Sequence, residues 1–425
     1  MKDIAEKSLF DIPGGWKTLL WILVLLGIGM FIAGLMTGGE ESVVRTWQAY
    51  LINTVFWGGI AHAGVIFAVI WQITDAKWGR AFKRLAEACA GFLPISFLMF
   101  MVVFFGSHVL YEWTHTPFLH HGEAVKQGWL NLPFFISRNV FWLLLIYGIS
   151  YWFIKTSIKP DIALARRLIG SEWGGKFADW VLEDYGEHET EVIRLEKLSR
   201  KIAPVLALIY AIGGSFLAWD FVMTLDQTWF STLFGVFVMI GNMHAFLGLM
   251  LVVAVTVRKK FGIEEYISIN RLHDLAKMTF AFSLLWTYMG YSQYIVIWYA
   301  DLPEETPYLI IRSMNAPWNT LFLVIILWVF VSVFIGLLPR TLCRIPNYIR
   351  LMGIWVMLGQ LLSVYIMVVP SLQHDGHYHI FMGLHELLIT LGFVGAFFLC
   401  YLAFLGKLPI LPISDKHLCR TWHGH

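Results

Sequence analysis

Residues 16–37 read WKTLLWILVLLGIGMFIAGLMT, an apolar run whose only charge, Lys17, sits at its start. Roughly 20 mainly apolar residues suffice to cross the hydrocarbon core of a bilayer, where no water satisfies exposed backbone polar groups. The run therefore predicts a membrane-spanning helix. Met1 to Gly15 ahead of it carries acids and Pro13, and the run lacks a small-residue cleavage site, so it reads as a retained span and not a signal peptide. The same window finds further spans at Trp47–Thr74, Phe82–Tyr111, Leu132–Lys155, Lys201–Val222, Trp229–Val257, Leu272–Ala300, Pro317–Leu338, Tyr348–Val369 and Phe381–Leu405. The expected fold is an all-α polytopic membrane protein with about ten transmembrane helices.

Composition supports this. Only 14% of the 425 residues are charged and 58% are hydrophobic, with a mean hydropathy of +0.66. A soluble domain needs about a quarter of its residues charged to face water. The net charge of +2, with no basic cluster interleaved with aromatics, gives no reason to expect a nucleic-acid partner. Cys89, Cys343, Cys400 and Cys419 are scattered singly without a CxxC or CxxCH pattern, so no metal site, disulfide framework or covalent haem is expected.

Lysine and arginine set the orientation. Roughly two dozen fall on the side of both termini and about three in the opposite loops, a strong positive-inside bias that predicts a multi-pass protein with both ends cytoplasmic. Lys77, Arg80, Lys83, Arg84, Arg258, Lys259, Lys260, Arg340 and Arg344 lie on the near side. The opposite loops carry Glu40, Glu41, Glu112, His115, His120, His121, Asp226, Asp301, Glu304, Glu305, His374 and Asp375. This acid-and-histidine surface reads either as solvated loops or as a docking face for a periplasmic partner. The one long polar stretch, residues 159–200, reads as a cytoplasmic helical loop.

An internal repeat organises the spans. Arg84-Leu85-Ala86-Glu87 recurs as Arg271-Leu272-His273-Asp274, and Ser96 and Leu98 recur as Ser283 and Leu285. Asn131-Leu132-Pro133-Phe134 answers Asn315-Ala316-Pro317-Trp318, and His62 among glycines answers His244. The order predicts two four-helix bundles in parallel repeat, residues 46–228 and 229–370. Residues 1–45 and 371–425 add one flanking span at each end.

Ionisable groups within lipid are costly and mark function by default. Glu87 and Asp274 stand just inside the near edge of spans 3 and 7. Each has a basic neighbour at helical spacing, Arg84 or Lys277. They read as interfacial salt bridges or as mouths of a proton path. His62 and His244, near the centres of spans 2 and 6, read as packing residues, proton relays or axial haem ligands. Asp220 in span 5 is a further proton-transfer candidate. Toward the opposite side lie His108 and Glu112, Arg138, His385 and Glu386. There too the end of span 7 places Tyr288, Gln293, Tyr294, Trp298 and Asp301. A lipid-soluble quinol needs an apolar slot, a hydrogen-bond donor and a proton acceptor. His108, Arg138 and these five residues of span 7 are the quinone-binding candidates.

The stretch Ser292-Gln-Tyr-Ile-Val-Ile-Trp-Tyr-Ala-Asp-Leu-Pro-Glu-Glu305 resembles a signature of the NrfD-like membrane subunits of alternative complex III, most closely the smaller of the two (ActF type). Residues 219–226 (WDFVMTLD) and 229–235 (WFSTLFG) extend the likeness, as does the ten-span layout. The resemblance implies a subunit of a quinol:cytochrome c oxidoreductase that supports quinol oxidation or proton translocation and carries no redox cofactor of its own. It also implies a larger NrfD-like subunit, a periplasmic iron–sulfur subunit and haem c subunits as partners. One departure stands out: Leu362-Ser363-Val364-Tyr365 lacks the acid expected before the tyrosine. The alternatives are the membrane anchor of a molybdenum or polysulfide-type reductase and a secondary transporter. Against transport, the repeat is parallel and the spans read as unbroken, with prolines mostly at helix ends.

Overall fold

The computed structural model describes residues 2, 6, 10–37, 39–115, 127–373 and 379–415. His120, His121, His374, Asp375 and Cys419 lie outside them. Among the described residues the chain is all helix, with no strand. Nine helices are long and apolar enough to cross a membrane: α1 (Gly14–Thr37), α2 (Glu40–Thr74), α3 (Arg80–Leu110), α4 (Leu132–Ile169), α6 (His188–Leu225), α7 (Phe234–Phe261), α10 (Trp318–Leu337), α11 (Pro346–Leu372) and α12 (Leu384–Leu405). A tenth, α8 (Ile269–Ala300), has 32 residues, ample length to span, but its Tyr, Ser and Gln content makes it less apolar. Two short helices, α5 (Gly175–Leu182) and α9 (Thr306–Ser313), sit between them. The chain is a multi-pass helical membrane protein.

Burial separates the centre from the rim. In α2 94% of the apolar window is inside the protein, against 17% in α1. A helix apolar on every face is stable either enclosed by other helices or in lipid, and the two extremes are both present. Leu19, Trp21, Leu25 and Met36 of α1 are exposed, as lipid contact requires. Around α2 pack α6, α7 and α12, while α7 packs along α11 and α4 along α6. The first and last spans form a pair. A Cβ on Gly27 would lie 2.5 Å from the Cα of Gly392, so only glycine lets these backbones touch. Gly406 meets the carbonyl of Phe10, which puts both ends of the described chain on one side, called here the terminal side.

Two spans are less regular than the sequence reading expected. Helix α3 alternates α-helical turns with tighter 3₁₀ turns at Ala88–Phe92 and Phe104–Gly106. Pro94 has no N–H to donate back to the carbonyl of Ala90. The Tyr151 hydroxyl donates to that carbonyl instead, at 2.9 Å. Helix α10 widens into a π-helical stretch at Ile326–Ser332. Prolines also occur inside helices, Pro160 in α4 and Pro204 in α6. The polar stretch 159–200 begins as a direct extension of α4. That helix has 38 residues, about 57 Å at ~1.5 Å per residue, well beyond the ~30 Å of a bilayer core.

Candidate functional site

On the terminal side of the first half, α3 and α4 bring together a buried charge cluster. Arg84, Glu87 and Asp161 are 2%, 0% and 0% exposed. Arg84 Nε donates to Asp161 at 2.7 Å, and its other nitrogens reach Glu87 and, at 2.9 Å, the Ser157 carbonyl. The Ser157 hydroxyl donates to Glu87 at 2.6 Å. Lys83 stands 4.0 Å from Glu87. The remaining oxygen of Asp161 accepts from the backbone N–H of Ser414, at 2.7 Å, and from its hydroxyl. Arg80 pairs with Asp415 and Asp75. Buried ions persist when opposite charges and hydrogen bonds fill their coordination, and here two cations face two anions. A polar cavity of about 180 Å³ adjoins the cluster, lined by Gln72, Lys83, Arg84, Ser157, Glu196 and Ser414 among others.

Deeper in the same half, the ring of His62 packs edge-on against Tyr147, 4.7 Å between centroids, and Tyr210. The Tyr147 hydroxyl and Ser96 are 2.9 Å apart. His62 Nε2 has no hydrogen-bond partner among the described residues and borders a cavity of about 40 Å³ shared with Tyr210 and Asn242. One water needs roughly 10–15 Å³ of such space, so the cavity can hold water and is far too small for a porphyrin. Toward the opposite side, Arg138 grips Asp220 with two bonds of 2.8 and 2.7 Å. Asn139 adds a third at 2.9 Å. The Arg138 guanidinium also lies 3.8 Å over the Trp129 ring.

The second half uses its matching positions differently. Asp274 does pair with Lys277 at 2.7 Å, but the side chains are 37% and 59% exposed. His244 Nδ1 meets the Gln360 amide at 2.9 Å in a fully buried contact. Away from the terminal side, α8, α9, α10 and α11 enclose a cavity of about 450 Å³, within the 300–1,000 Å³ of typical ligand pockets. Its wall is mostly aromatic and aliphatic, including Trp229, Phe237, Trp286 and Tyr308. Two groups supply directional polarity. Gln293, 8% exposed, accepts from Ser231 at 3.1 Å. Arg312, 4% exposed, donates to the carbonyls of Tyr308, Ile366 and Met367 and to the Ser371 hydroxyl. Its charge stacks 3.5 Å over the Tyr308 ring, a cation–π contact. The π-helical stretch contributes Ile326 and Phe330 to the wall, in keeping with the frequency of such bulges at functional sites.

The structure thus divides the candidates drawn from the sequence. Gln293 and Tyr294 line the cavity. Tyr288 and Trp298, 61% and 63% exposed, point away from it. Asp301 caps α8 in a left-handed conformation, φ 48°. His108 is exposed at the end of α3, and Arg138 is committed to Asp220 in the other half. His385 and Glu386 clamp the start of α2, through Thr46 at 2.9 Å and Arg45 at 2.7 Å. Sequence reading missed Asp161, Ser157, Tyr147, Gln360 and Arg312. For Arg312 a signal existed: basic residues are scarce on its side of the chain. Among the described residues no group of three or more metal-ligating side chains converges.

No family model matches this chain, and no curated protein matches it.

Proposed function

We propose that this protein is an integral membrane subunit of a respiratory quinol:cytochrome c oxidoreductase of the alternative complex III type, in the bacterial inner membrane with both termini cytoplasmic. The observation that carries the reading is the 450 Å³ apolar cavity with Gln293 and Arg312 in its wall. A quinone headgroup is flat, apolar on its faces and tipped by two carbonyls. Such a ligand takes aromatic walls and a few fixed donors, which Trp286, Tyr308 and the Gln293 amide provide. Tyr291, which is exposed, forms part of the rim, giving a lipid-soluble molecule a lateral way in.

The first half supplies the second part of the reading. Glu87 and Ser157, then Ser96, Tyr147 and His62, then Asp220 form three polar stations contributed by α2, α3, α4 and α6. Ser157 and Tyr147 are ten residues apart on α4, about 15 Å. Protons would enter at the polar cavity beside Glu87 and pass along hydroxyls and water at His62. In this picture electrons leave through the iron–sulfur and haem c subunits, and the larger NrfD-like subunit is a further partner. The reductase anchor shares this chemistry, and the acceptor distinguishes the two. A secondary transporter gains less support, because α3 and α10 change helical pitch without unwinding near the midplane.

Photolabelling with an azidoquinone on the purified complex tests the quinone assignment. Label on peptides spanning residues 286–297 and 308–330, displaced by excess quinone, is the expected result. Label confined to a partner subunit would move quinol oxidation elsewhere.

A further inference from the structure

The largest cavity among those described, about 1000 Å³, lies apart from both sites. It is a groove between α1, α3 and α12. Trp21, Ile28 and Phe31 form one wall, Ile95 and Met99 the floor, and Leu399 and Ala403 the other wall. At depth it reaches Tyr50 of α2, whose hydroxyl is turned to the carbonyl of Met99 at 3.2 Å. At its terminal-side end stand Lys17 and Lys407, both exposed, with Asp11 beside them. Two ammonium groups against one carboxylate leave that end positive.

We infer that this groove is a binding site for one anionic glycerophospholipid, its phosphate between Lys17 and Lys407 and an acyl chain running to Phe31 and Tyr50. Length and charge select this occupant. Lys17 to Phe31 is fourteen residues of helix, about 21 Å at ~1.5 Å per residue. One leaflet with its headgroup is half of ~40–45 Å, so the groove is as deep as one lipid is long. A lysine pair at the headgroup level favours an anionic lipid over a zwitterionic one. The lipid would lie against the packed seam of α1 and α12, where Gly27 and Gly392 line the groove.

Native mass spectrometry of the complex, delipidated and then given equal phosphatidylglycerol and phosphatidylethanolamine, tests this. One phosphatidylglycerol retained per chain is expected, with phosphatidylethanolamine at least fivefold lower. The K17Q/K407Q variant should erase that preference. Ala403 is exposed and faces the groove, so Ala403→Trp should fill it without disturbing the core and abolish retention. Equal retention of both lipids, or undiminished retention in Ala403→Trp, would overturn the site and assign the lipid to the general annulus. So would cross-linking of Ala403→Cys to a partner helix seated in the groove.

Discussion

Glu87 and Asp274 hold matching places in the two halves of this protein, and they live in opposite surroundings. Glu87 is sealed under Arg84, Ser157 and Lys83, while Asp274 keeps a single partner, Lys277, at the rim. Farther along, the first half ends in a filled ion pair, Arg138 with Asp220. The second ends in a buried arginine without a carboxylate among its hydrogen-bond partners and a cavity in front of it. Matching sequence positions do not dictate their surroundings: a few side chains decide whether a given space is filled with charge or left open. Buried charge demands complete hydrogen bonding: in the first half carboxylates supply it, and in the second Arg312 takes it from backbone carbonyls and Ser371, which leaves the space in front of it open.

The sharpest way to break this contrast is to remove one cation from each half. Arg84→Leu leaves Glu87 and Asp161 buried without their shared partner, and losing one member of a buried pair costs about 3–5 kcal/mol. Lys277→Leu removes an exposed pair worth about 0–1 kcal/mol. Thermal unfolding in detergent should show a large drop for the first and almost none for the second. Similar drops would mean that the two mouths are equivalent.

Function should follow the same division. Glu87→Gln keeps the shape of the side chain but not its charge, and in the assembled complex proton translocation per electron should fall severalfold, and by more than turnover. Asp274→Asn should change it less than twofold. A ratio reduced equally by both would give each half its own proton path. In the second half, Gln293→Ala removes the amide that faces the cavity. A hydrogen bond is worth about 0.5–1.5 kcal/mol, so the quinol KM should rise about three- to tenfold while Tyr288→Ala leaves it unchanged. A larger effect of Tyr288 would place the substrate on the outer face of α8.

How much of this could be read from sequence follows from the same residues. Most spans were legible as long apolar runs, but α4 continues to Ile169 and α6 starts at His188, because helical turns carry on past the apolar run into polar sequence. The positions of Glu87 and Asp274 were legible too, but not the difference in their burial. That difference depends on Asp161 and Ser414, which lie far along the chain in stretches that read as polar loop and tail. The cavity left a partial trace. Trp286, Gly290, Gln293 and Ile297 recur at three- and four-residue steps and all line it, one face of a helix. Tyr288 and Trp298 are each five positions from Gln293, about 140° around the helix at ~100° per residue. Grouping them by depth alone therefore put residues from different faces into one site. Arg312 left only the trace of a base on the side where bases are scarce, since α9 is a short helix between spans, and the π-helical stretch of α10 has no sequence mark.

The smallest expected effect separates structure from function at a single residue in each half. Asp75 ends α2 and Asp301 ends α8, both in the left-handed region at φ 49° and 48°. A side chain there is strained and glycine is not, so replacement should stabilise by a few tenths to about 1 kcal/mol. At Asp75 the gain is offset, because its carboxylate bonds Arg80 at 2.6 Å and a surface pair is worth about 0–1 kcal/mol. Asp301→Gly should therefore raise the unfolding temperature by a degree or two with quinol turnover intact, while Asp75→Gly leaves it unchanged. Loss of turnover in Asp301→Gly would show that its carboxylate meets the substrate. The quinone slot would then extend past Gln293 to the end of α8, and the second half would carry an acid chemistry of its own.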